Sequence, residues 1–132
     1  MKIAADTNVL VRVVVRDDRR QASVAEALLA NAEMVVLTLP TLCEFVWVLS
    51  KVYRYGLEEI GAAIRTLLAG GNVGVSTPAV EAGLAMLDVG GDFADGVIAY
   101  EGRRLGAEAF VSFDRKAVRL LEAQGEPTQL LS

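Results

Sequence analysis

Short β-type runs alternate with longer apolar helical stretches along this chain, and that alternation restricts the folds open to it. Residues 2–5, 34–39 (MVVLTL), 73–76 and 109–112 read as strands, with a short fifth at 128–131. Helical patterns fill residues 7–15, 19–32, 41–53, 57–69, 78–89, 92–105 and 115–123. Apolar period and punctuation set these elements: Pro40 stops a strand, and Gly56, Gly70–Gly71, Gly90–Gly91, Gly106 and Gly125 end helices. Strands alternating with helices imply a parallel sheet covered on both faces. The chain is 53% hydrophobic with only 6% aromatic residues, and Val, Ala and Leu dominate, as a buried parallel sheet requires. The expectation is a single domain over residues 1–132 of the α/β class.

Other residues bound the chemistry. There is no His, which excludes a His-containing triad, a His general base and His metal ligands. Cys43 is the sole cysteine, so no internal disulfide can form. The start, MKIAADTNVLV, meets Asp6 before any long apolar run and is not a secretory signal. The most apolar stretch, 35–49, is broken by Pro40 and carries Glu44, so it is not read as a membrane span. A cytoplasmic protein without a membrane partner is expected. The formal charge of −4 opposes a general nucleic-acid binder. Four acids gathered in one metal site would account for that whole excess. The basic residues fall in two groups, Arg12, Arg16, Arg19 and Arg20, and Arg103, Arg104, Arg115, Lys116 and Arg119. Each group reads either as phosphate contacts or as solvated helix faces.

Four acids, Asp6, Glu44, Asp95 and Asp114, fall where a strand hands over to a helix or on a helix's first turn. In open parallel sheets that edge binds ligands. Carboxylates collected there repel one another by roughly 3 kcal/mol per pair at ~5 Å and an effective dielectric of ~20. Protonation or a cation must offset this, and a hard divalent ion suits oxygen ligands. Metal-dependent phosphate chemistry follows. Each acid also has a purely structural role open to it. Asp6 and Asp114 can cap the helices that follow them. Glu44 can complete a capping box with Thr41. Asp92 reads as the cap of the helix from Phe93, with Asp95 three residues on and sharing its face. Capping is favoured for Asp92 and a functional role for Asp95. Thr7 and Asn8 add short oxygen-bearing side chains at the turn of Asp6, suited to supporting a metal or its waters.

Three segments carry a family resemblance: DTNVLVR at the start, PTLCEFVWVLSKVYRYG in the middle and DFADGVIAYEGRRLGAEAFVSFDRKA near the end. In this order they resemble PIN-domain ribonucleases, most of all the VapC-type toxins of toxin–antitoxin pairs. The resemblance runs from Lys2 to about Leu121. It implies a three-layer α/β/α sandwich with a mainly parallel central sheet, and Mg²⁺ or Mn²⁺, one or two ions, held by clustered acids. It also implies endonucleolytic cleavage of RNA, a homodimer and a cognate antitoxin protein. By position, Asp6 matches the first-strand Asp and Glu44 the Glu in the helix after the second strand. Asp95 matches the Asp of D-x-x-I-A, and Asp114 the Asp after F-V-[ST]-F. Ser112 stands at the supporting hydroxyl, and Asp92 at an acid found in only part of the family. Gly96 replaces the usual Ala or other apolar residue, at a helix-propensity cost of ~1 kcal/mol.

Rival readings differ at single residues. A phosphoacceptor receiver domain wants paired acids after the first strand and a Lys after a late one; here Asp6 is single and Asp114 takes the late position. A haloacid-dehalogenase-like phosphatase wants D-x-D, but the chain reads Asp6-Thr7-Asn8. A non-catalytic RNA-binding or assembly module on the same fold is opposed by the intact acid set.

Overall fold

A computed structural model describes Met1–Ser132, which divide into two compact units, Met1–Ser76 and Thr77–Ser132. The first unit runs β1 (Lys2–Ala4), α1 (Thr7–Val15), α2 (Arg19–Asn31), β2 (Met34–Val36), α3 (Leu39–Lys51), α4 (Leu57–Leu68) and β3 (Val73–Gly74). Its strands lie in the order β1-β2-β3, all parallel, with Ile3 opposite Val35 and Val35 opposite Val73. The second unit runs α5 (Thr77–Asp88), α6 (Phe93–Arg104), β4 (Phe110–Ser112), α7 (Arg115–Ala123) and β5 (Thr128–Leu130). There β4 and β5 pair in parallel, with Val111 opposite Gln129. The class is α/β, with parallel pairing throughout.

In the first unit Val35, on the middle strand, is buried, as are Leu10, Leu42, Phe45, Leu49, Ile60 and Ile64 on the helices. The ladder continues past the strand ends through Ala5 N–H to Val36 O (3.2 Å) and Leu37 N–H to Gly74 O (3.0 Å). Asn72, in the Gly-Gly-Asn turn, has a second duty. Its Nδ2 donates to Leu29 O and Ala32 O at 2.9 and 3.0 Å, satisfying carbonyls at the end of α2 that have no partner within their own helix.

The start of α3 departs from expectation. Pro40 does not merely stop β2; it sits in the first turn of α3, where a missing N–H breaks no helical bond. Thr38 is the N-cap and accepts from Thr41 N–H at 3.4 Å. The capping box expected between Thr41 and Glu44 is therefore absent. Glu44 lies in the second turn, exposed, not on the first turn at the core's edge. Excess apolarity in α3 is real: Phe45, Val46 and Leu49 are buried, while Trp47, and Val52 at the helix's C-cap, remain largely exposed.

In the second unit α5 and α6 pack at very short range. A Cβ on Gly96 would lie 2.3 Å from the carbonyl oxygen of Ala82, and one on Gly83 would lie 2.5 Å from the Phe93 ring. Gly96, read from sequence only as a weakness in the helix, is what permits this approach. Met86, Ala99 and Leu121 form a buried cluster, with Phe110 and Leu120 against it.

Candidate active site

Asp6 follows β1 and buried Ala5 in an extended conformation. Its Oδ1 accepts from Thr7 N–H at 2.8 Å, so the capping role holds. The carboxylate itself is exposed, which leaves lone pairs for a second partner. Thr7 beside it is the one buried polar residue of the chain, and Asn8 is exposed. Asn8, Arg12, Arg20, Val24 and Leu28 line a cleft of about 490 Å³ along α1 and α2. Glu44 is on α3, which packs against α1.

The second unit carries the other acids. Asp92 caps α6, accepting from Ala94 N–H at 3.1 Å. Asp95 lies in the first turn of that helix. Asp114 caps α7, accepting from Ala117 N–H at 3.0 Å. Ser112 Oγ accepts from Asp114 N–H at 2.9 Å, which pins the turn between β4 and α7. The hydroxyl thus supports the acid through its backbone. The positive ends of α6 and α7 favour these carboxylates.

Their mutual influence shows at Asp95. Burial first, then the charges of Asp92 and Asp114, push its carboxyl up to about 6 from an ordinary 3.8. Asp92 and Asp114 are therefore each within electrostatic reach of Asp95, although Asp95 and Asp114 are on different elements. A cation beside Asp95 would offset the charges of Asp92 and Asp114. Their oxygens are the donors a hard divalent ion takes. No three His, Cys, Asp or Glu side chains converge closely enough to hold a metal ion as they stand. The donor chemistry fits such an ion, whereas a ready-made cage is absent.

One side chain in this region escaped the sequence reading. Phe113, immediately before Asp114, is 71% exposed, whereas Phe45 and Phe93 are fully buried. Strand alternation was the available signal: Phe110 and Ser112 are half-buried, Val111 and Phe113 face water.

The family model for the PIN domain matches residues 3–122, which takes in every acid described above. No curated protein matches the chain.

Proposed function

Because this chain belongs to the PIN-domain family, whose fold is of the nuclease type, we propose that it is a metal-dependent endoribonuclease. The observation that carries the reading is the cluster of Asp92, Asp95 and Asp114 at two helix N-termini, in which Asp95 resists ionisation.

Asp6, Glu44, Asp95 and Asp114 would hold Mg²⁺ or Mn²⁺, directly or through water. Such an ion, when bound, supplies a Lewis acid and a water of lowered pKa for attack on a phosphodiester. The chain's residues do the rest. Asp6 and Asp114 are held by their caps, Ser112 fixes the backbone of Asp114, and Thr7 and Asn8 support the turn of Asp6. Asp92 is assigned to capping and to raising the negative potential. With no His in the chain, a carboxylate or a metal-bound hydroxide would handle the proton of the attacking water.

The same reading makes the protein the toxin of a toxin–antitoxin pair, cytoplasmic and homodimeric. Exposed Val24 and Leu28 in the α1–α2 cleft, and exposed Trp47 on α3 with Val52 at its C-cap, offer apolar surface for an antitoxin and a second copy. No helix is long and apolar enough to cross a membrane.

The test is cleavage of labelled single-stranded and hairpin RNA in Mn²⁺, with EDTA and Asp6→Asn as controls. Cutting that disappears in both controls supports the reading. Cutting that persists in EDTA, or in Asp6→Asn at the wild-type rate, counts against it. A second reading, a non-catalytic RNA-binding or assembly module, is favoured by the lack of three converging acids. Metal affinity without turnover would select it.

A further inference from the structure

We propose that Phe113 is a base-stacking platform that binds an unstacked nucleobase of the RNA next to the phosphate being cut. The inference rests on the nuclease reading and adds a residue that selects the substrate.

Of the four phenylalanines, Phe45 and Phe93 are fully buried and Phe110 packs on the second unit's core, while Phe113 stands in water. Its backbone is held on both sides. Ser112 precedes it and accepts from Asp114 N–H, and Asp114 follows it and accepts from Ala117 N–H. The ring is thus mounted on a fixed turn, one residue before Asp114 in the chain. A single exposed apolar side chain is ordinary surface, so the residues around it must assign its partner. The neighbours argue for nucleic acid over protein. Arg115 and Lys116 follow directly, are exposed, and take part in no ion pair. By contrast Arg12, Arg16, Arg103 and Arg104 are each paired with a carboxylate. Free cations for phosphates beside an open ring for a base are the two elements of single-strand binding. A duplex hides its base faces, so the ring selects a strand or loop whose base is splayed out.

The experiment uses Asp95→Asn protein, so that the RNA survives, and single-stranded RNA carrying 2-aminopurine at each position in turn. Quenching of the fluorophore reports stacking, and titration gives the affinity. At one position the fluorescence is quenched on binding. Phe113→Ala and Phe113→Leu in the same background abolish that quench and weaken binding about 5- to 150-fold. Phe113→Trp retains both. The leucine variant separates stacking from simple apolar contact, and circular dichroism of each variant checks the fold. Equal binding and quenching by Phe113→Ala overturns the proposal, as does absence of binding by the parent. So does a Phe113→Ala change confined to sedimentation, which would make the ring an interface between copies. Cleavage of the same RNA by wild type in Mn²⁺ judges the nuclease reading separately. Cleavage with KM unchanged in Phe113→Ala sinks only the stacking role. Binding that depends on Phe113 without any cleavage sinks only the nuclease.

Discussion

Asp95 can be followed by pH. Its carboxyl titrates at about 6 in the folded protein against an ordinary 3.8, so the folded state holds this proton more tightly than the unfolded chain does. The stability gained from that proton is fully present below about pH 4 and is lost as pH rises through about 6. For a fully buried group such a shift would correspond to about 3 kcal/mol. Asp95 is half in solvent, which screens the repulsion, and about 1 kcal/mol is expected. Asp95→Asn should therefore raise the melting temperature at pH 8 and leave it nearly unchanged at pH 4. Equal effects at both pH values would show that the Asp95 carboxyl is not held above its ordinary range. Ser112 makes a second test at this scale. Ser112→Ala removes the acceptor for Asp114 N–H and should cost about 1 kcal/mol in a urea titration. Capping by Asp6, Asp92 and Asp114 was legible in the sequence because a cap reaches only one to three residues along the chain.

Elements respond to what neighbouring elements allow. Gly96 faces the backbone of Ala82 and Gly83, which cannot move aside as a flexible side chain would. Gly96→Ala, a gain in helix propensity, should instead destabilise the protein by about 1–3 kcal/mol through overpacking. Because Asp95 precedes this contact, the same change should reduce cleavage. A variant as stable as wild type in denaturant would show that α5 and α6 can separate without loss. Asn72 is the corresponding case in the first unit, where one side chain closes the end of α2. Asn72→Ala leaves Leu29 O and Ala32 O without these donors, and a loss of about 1–2 kcal/mol should appear in the same titration. The sequence marked this segment only as a turn. It could not show that the amide reaches Leu29 in a helix 43 residues upstream.

For the whole molecule, a bound cation is a linkage effect. If the clustered carboxylates take Mn²⁺ or Mg²⁺, either ion at about 100 times its Kd should stabilise the native state by about 2.7 kcal/mol, and EDTA should reverse this. The rise in melting temperature should shrink in Asp114→Asn. A melting temperature indifferent to both ions would remove the metal from the mechanism. The acidic balance of −4 then describes the protein without its counter-charge. Alternating runs of apolar residues, with Gly and Pro between them, were enough to determine seven helices, the parallel strands and the α/β class, because period and punctuation are local properties. Tertiary structure alone decided the rest. A cap at Thr38 in place of Thr41 put Glu44 on the second turn of α3. Contact with α5 made Gly96 a requirement. Folding also brought Asp114 near enough to Asp95 to oppose its ionisation. Charge repulsion and close packing act through space, and residues distant in the chain meet only once the fold has formed.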